Sequence, residues 1–96
     1  MKDYTERRSL KDMLVEYVSK TKALEIMQTQ ITELEENIDA LDEDIEELED
    51  SGLDRTVEIL CKARNSLNLE RLELEIHMCK LKLWLAEFEL ARQLAR

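Results

Sequence analysis

The side chains able to hold a metal ion or attack a substrate are few in this sequence. There is one histidine, His77, and there are two cysteines, Cys61 and Cys79. A zinc site needs several ligands at short spacing, and on a helix Cys79 points to a different side from His77, two residues before it. Glu73 precedes His77 by four residues, whereas the Glu-x-x-His motif of di-iron bundles needs a spacing of three. The sequence therefore predicts no metal site and no other cofactor.

Motifs for catalysis are missing as well. The only glycine is Gly52, so there is no glycine-rich phosphate loop. No Gly-x-Ser-x-Gly elbow is present, and no predicted loop is long enough to carry an active site. These observations predict a protein that is not an enzyme.

A run of negative charge is the strongest chemical signature. Residues 33–50 contain eleven carboxylates and no basic residue. One interpretation is a solvated helix face that keeps the protein soluble. The other is a docking surface for a basic protein, in its sharpest form a DNA mimic such as a phage-type anti-defence factor. The candidate residues for binding such a partner are Glu36, Asp39, Glu43, Glu46, Glu47 and Asp50.

The overall charge disfavours some classes of binding partner. A formal charge of -9 disfavours direct binding to nucleic acid and to anionic membranes. No apolar run has the length of a signal peptide, so a cytoplasmic protein is expected. Two cysteines 18 residues apart on one helix lie about 27 Å from each other, too far for a disulfide. Free thiols agree with a reducing compartment, with Cys61 expected to be exposed and Cys79 to be buried.

Two long helices are predicted to position these side chains. Starting at Leu10, eleven of twelve a and d positions of a heptad repeat are apolar or tyrosine, and Lys20 is the exception. Ser9, with Asp12 three residues later, is a predicted N-cap that leaves residues 1–8 as a mobile arm. These a and d positions are Leu10, Met13, Tyr17, Lys20, Leu24, Met27, Ile31, Leu34, Ile38, Leu41, Ile45 and Leu48.

The repeat breaks at Gly52 and restarts at Leu53, which predicts a turn between antiparallel helices. Gly52 is suited to a left-handed conformation, and Ser51 with Asp54 offers a capping box for the second helix. The expected fold is all-α, a two-helix antiparallel coiled-coil hairpin over residues 9–96, with helix one near 9–50, a turn at 50–53 and helix two near 53–95. Its seam is predicted to contain Ile31, Leu34, Ile38, Leu41, Ile45, Leu48, Leu53, Leu60, Leu67, Leu74, Leu81 and Phe88.

A turn at Gly52 pairs residues whose numbers add up to about 103. Tyr17 is then expected beside Ala86, and Trp84 and Phe88 either fill the core or form an exposed docking pocket. The same pairing brings four bases alongside the acidic half of helix one. These bases are Arg55, Lys62, Arg64 and Arg71.

Helix two carries a second apolar column about 200° around its axis from the first. One hairpin partner does not cover both faces, so a homodimer forming a four-helix bundle is expected. The predicted oligomer interface contains Leu69, Leu72, Ile76, Leu83 and Leu90.

The function expected from this pattern is a non-enzymatic protein-protein interaction module. It would be a self-associating hairpin that docks another protein in an adaptor, chaperone-like or scaffold role. The alternative is an acidic inhibitor that uses residues 33–50 to occupy a basic nucleic-acid-binding protein.

Overall fold

A computed structural model describes residues 9–95, and within that range the chain forms two α-helices, α1 (Leu10–Leu48) and α2 (Asp54–Leu94). They contain 39 and 41 residues and lie side by side in a particle 72 Å long. Contacts join Tyr17 to Phe88 near one end and Asp42 to Arg64 nearer the other, so the helices are antiparallel. The predicted all-α hairpin is confirmed, and its helices begin and end within two residues of the expected positions. The predicted arm at 1–8 lies outside the described residues.

The start of α1 is capped as predicted. The Oγ atom of Ser9 accepts a hydrogen bond from the amide of Asp12 at 3.1 Å, and the carbonyl of Ser9 accepts one from the amide of Met13 at 3.2 Å. The first of these bonds satisfies one of the amide groups that a helix leaves unpaired at its N-terminus, and the second is the first regular hydrogen bond of α1.

The turn between the helices depends on Gly52, whose φ of +80° is in the left-handed region. The predicted capping box of Ser51 and Asp54 is wrong. The hydroxyl of Ser51 instead donates to the carbonyl of Leu48 at 2.6 Å, which completes the end of α1. Leu53 is the N-cap residue of α2 and provides no side-chain acceptor.

The seam between the helices contains eleven of the twelve predicted residues in buried or half-buried positions. Ile31, Ile38 and Ile45 of α1 and Met78 of α2 are the buried residues of the described chain. Leu53 is the incorrect prediction, because its side chain is 51% exposed in the turn before α2 begins. At the open end of the hairpin, Leu10 is also exposed.

A second seam column on α2 was not predicted. It lies three residues before the predicted one and contains Val57, Arg64, Arg71, Met78 and Leu85, all buried or half-buried. Two of the five residues are arginines, so the column does not show the apolar repeat that reveals a seam in sequence. Together the two columns of α2 give this helix the a and d positions of a coiled coil.

Candidate interaction surfaces

The two cysteines and the histidine do not form a site. Cys61 is half-buried because it lies one turn from the seam residues Val57 and Arg64, whereas Cys79 is exposed on the outer face with Ile76. Within one protomer, the predicted exposure of Cys61 and burial of Cys79 are therefore both wrong. Across residues 9–95, no three or more His, Cys, Asp or Glu side chains are grouped closely enough to hold a metal ion.

The outer face of α2 exposes a continuous apolar surface, which we call the α2 stripe. Its large residues are Leu69, Leu72, Ile76, Leu83 and Leu90, and Cys79 and Ala86 lie between them. The five large side chains are 46% to 63% exposed. They follow the seam residues by one or two positions on the helix, which turns them away from α1. The structure thus places all five predicted interface residues on one uncovered face.

The outer face of α1 exposes a second apolar surface, the α1 groove, at the open end of the hairpin. It is formed by Leu10, Leu14, Val15 and Val18, each 44% to 68% exposed. Its other lining residues are Lys11, Ser19 and Lys22. This surface was not predicted, although apolar residues spaced by three and four at positions 10–18 are a usable signal for it.

Three aromatic residues of the described chain, Tyr17, Trp84 and Phe88, are half-buried and form a cluster between the helices. The ring centroids of Tyr17 and Phe88 are 5.1 Å apart, and those of Trp84 and Phe88 are 5.4 Å apart. The ammonium of Lys20 lies 4.8 Å from the centre of the Trp84 ring and 3.8 Å from a carboxylate oxygen of Glu16. The contacts between the rings favour the core interpretation of this cluster, and Lys20 finds its partners within the same chain.

The observed pairing is shifted slightly from the predicted one. Tyr17 meets Phe88 rather than Ala86, and Asp42 meets Arg64, so paired numbers add up to 105 or 106. The turn occupies residues 49–53, which is one residue longer than the turn predicted at 50–53.

The eleven carboxylates of residues 33–50, which we call the acidic tip, are largely unpaired. Within the described chain only Asp42 forms an ion pair, with Arg64 at 3.2 Å. Lys62 and Arg71 instead bind acids on their own helix, Glu58 at 3.3 Å and Glu75 at 3.5 Å. The six candidate partner-binding residues, Glu36, Asp39, Glu43, Glu46, Glu47 and Asp50, are all exposed.

The protomer exposes more surface than a compact protein of its size. Its accessible surface is 7808 Å², whereas a compact monomer of 11.4 kDa exposes about 5,800 Å². A specific protein-protein interface buries about 800 Å² on each partner, which is less than this difference of about 2,000 Å².

Comparisons of this chain with protein-family models, curated proteins and solved structures gave no match. Across residues 9–95, neither helix has an apolar stretch long enough to cross a membrane.

Proposed function

We propose that this protein is a non-enzymatic interaction module, a helical hairpin that forms a homodimer through the α2 stripe and docks another protein in an adaptor or scaffold role. The observation that carries the proposal is the α2 stripe itself. Five large apolar side chains lie on one helix face, turned away from α1, and each is 46% to 63% exposed. Monomeric soluble proteins seldom expose a contiguous apolar surface of this kind, and such surfaces mark sites of association.

The small core supports the same proposal. Only four side chains of the described chain are buried, and each of them belongs to the seam between the two helices. A single seam offers little apolar burial against the conformational entropy lost when about 85 residues are ordered. Covering the α2 stripe adds apolar burial without requiring any new element of structure.

Ile76 and Ile59 offer a matched test of this proposal. Both are isoleucines on α2 with similar exposed fractions, 55% and 58%, but only Ile76 belongs to the α2 stripe. We expect Ile76→Gln to weaken the homodimer at least tenfold, because each dimer loses two buried isoleucines, while Ile59→Gln leaves the dissociation constant nearly unchanged. Sedimentation equilibrium over a range of concentrations measures both variants.

Two results would contradict the proposal. One is a wild-type chain that stays monomeric at every concentration. The other is an equal effect of the two substitutions on the dissociation constant, which would place the contact elsewhere. Helical content by circular dichroism checks that each variant remains folded.

A further inference from the structure

We propose that two copies of this chain join through their α2 stripes in an antiparallel alignment. Residues of the two α2 helices that lie opposite each other then have numbers that add up to 155. This inference rests on the proposed self-association and specifies its geometry. The resulting dimer is a row of four helices, with α2 of each protomer in the centre and α1 of each protomer at the edge.

The position of the stripe on α2 produces a row rather than a compact bundle. Leu69, Ile76 and Leu83 each follow a seam residue by two positions, which is about 200° around the helix. The covering helix must therefore lie on the side of α2 opposite to α1. In a compact four-helix bundle the two neighbours of a helix lie at roughly a right angle, and that arrangement would leave the stripe partly open.

The stripe has the pattern of a seam of its own. Leu69, Ile76, Leu83 and Leu90 form one column, and Leu72, Cys79 and Ala86 form the other. Antiparallel helices pack these columns against each other, so that Leu72 lies opposite Leu83 of the partner subunit, and Ile76 lies opposite Cys79 of the partner subunit. Six apolar layers form in this way, and Leu90 lies beyond them, opposite Asn65 of the partner subunit.

Charged residues border the stripe on both sides and distinguish one register from another. Glu73 and Lys80 lie along one edge, and Glu75 and Lys82 lie along the other. In the register with a sum of 155, Glu73 is level with position 82 of the partner subunit. The partner subunit's Lys80 lies two residues, about 3 Å along the axis, from that level. Glu75 is equally close to the partner subunit's Lys82, so four attractive pairs flank the interface.

Other antiparallel registers fit less well. A shift by one heptad to a sum of 162 places Lys80 and Lys82 opposite themselves across the dimer axis, where like charges repel. A sum of 148 places Glu73 and Glu75 opposite themselves, so that their negative charges repel. A sum of 169 restores attractive pairs with Glu87 and Glu89 but leaves Leu69 and Leu72 uncovered.

A parallel dimer would also place acids against bases along the stripe, but its remaining contacts are unfavourable. Arg55 and Lys62 continue the column of Leu69 toward the turn, so each would face its own copy in the partner. A parallel arrangement also brings the two acidic tips together. The antiparallel alignment removes both conflicts, because the overlap of the two α2 helices ends near residue 61.

Exchanging one charged pair between protomers tests the register. Glu73→Lys and Lys80→Glu each replace two attractive contacts by two repulsive ones, so each variant alone should form a homodimer about tenfold weaker than the wild type. An equimolar mixture should form a heterodimer in preference to either homodimer, because one protomer then carries only acids at positions 73 and 80 and the other only bases. Native mass spectrometry of the mixture counts the three species.

The alternatives give different results. At a sum of 162, Glu73→Lys relieves a repulsion with Glu87 of the partner subunit and strengthens the homodimer, whereas Lys80→Glu only exchanges one pair of like charges for another. In a parallel dimer or at a sum of 169, the mixture shows no preference for the heterodimer. Any of these results overturns the inference while the self-association stands, whereas a monomeric wild type overturns both.

A distance measurement gives an independent answer. Ser66 is exposed on α2 outside the stripe, so Ser66→Cys in a chain with Cys61→Ser and the apolar replacement Cys79→Ala provides one label per protomer. The proposed register separates the two labelled backbone positions by about 35 Å along the axis, the register at 162 by about 45 Å, and a parallel dimer by about 10 Å. Electron spin-spin distance measurement resolves these cases, and a distance near 10 or 45 Å would refute the register.

Discussion

Arg71 is the residue at which the seam between α1 and α2 is least well satisfied. It occupies a seam position on α2, and its Nε atom is the one buried side-chain polar atom of residues 9–95 that lacks a hydrogen-bond partner. Its Nη1 atom lies 3.5 Å from a carboxylate oxygen of Glu75, one turn away on the same helix. A buried donor without an acceptor costs about 1–3 kcal/mol, more than a single pair within one helix returns.

Replacing Arg71 by methionine should therefore stabilise the protein. Methionine has a similar length and helix propensity, and Arg71→Met should raise the free energy of unfolding by about 1 kcal/mol. Arg64→Met is the matched control, because Arg64 lies in the same column with a similar exposed side chain, 31% against 29%, but binds Asp42 across the seam. Urea denaturation at a fixed protein concentration compares the two. An Arg71→Met variant no more stable than Arg64→Met would show that the unpaired donor costs little.

At the level of the helices, the periodicity of α1 was sufficient to predict its seam. Ten of its twelve heptad positions are buried or half-buried, and the other two, Leu10 and Met13, lie at the open end. The periodicity of α2 was only half sufficient, because Arg64 and Arg71 hide one of its two columns. Predicting that column requires knowing where long side chains direct their charged ends, and the sequence pattern does not contain that information.

The turn shows a similar division between what the sequence predicts and what only the structure reveals. Gly52 was identifiable because its left-handed conformation favours glycine over all other residues. The role of Ser51 was not identifiable from the sequence, because a serine near a turn is equally able to end the preceding helix or to cap the next one. In the structure its hydroxyl binds the carbonyl of Leu48 and so ends α1.

The uncapped start of α2 provides a test at this level. Leu53 has the N-cap position but no side-chain oxygen, and no buried contact depends on it because it is 51% exposed. We expect Leu53→Ser to be more stable than Leu53→Ala by about 1 kcal/mol, because only serine accepts a hydrogen bond from the first turn of α2. Alanine removes the same apolar contacts and is the control. Thermal unfolding of the two variants measures the difference, and equal stabilities would mean that the turn geometry does not admit a cap.

In the whole molecule, charge and apolar surface occupy opposite ends. The acidic tip surrounds the turn, while the α1 groove and most of the α2 stripe lie toward the open end of the hairpin. The α2 stripe followed from its heptad column, but the α1 groove spans too few turns to form one. In the proposed dimer the two turns lie about 75 Å apart and the two acidic tips point in opposite directions, so that a basic partner at one tip would not hinder a partner at the other.

Repulsion within the acidic tip should make the stability of the protein depend on salt. Ten of its eleven carboxylates have no ion pair within the described chain, and the last turn of α1 contains no base to offset them. Negative charge at a helix C-terminus is also unfavourable to the helix dipole. Raising the sodium chloride concentration from about 0.02 M to about 0.3 M shortens the Debye length to about 6 Å and screens this repulsion. The melting temperature should then rise by about 3 °C.

Removing charge from the tip separates this effect from a general response to salt. Glu43→Gln, Glu46→Gln and Glu47→Gln together should raise the melting temperature at low salt and flatten its salt dependence, because fewer repelling charges remain to be screened. The same change at Glu25, Glu70 and Glu87, three exposed acids outside the tip, alters the net charge equally and should leave most of the salt dependence in place. Scanning calorimetry at one protein concentration compares the three chains. A melting temperature that falls with added salt would mean that pairs such as Asp42 with Arg64 outweigh the repulsion, and that the acids of the tip support the fold of the hairpin instead of opposing it.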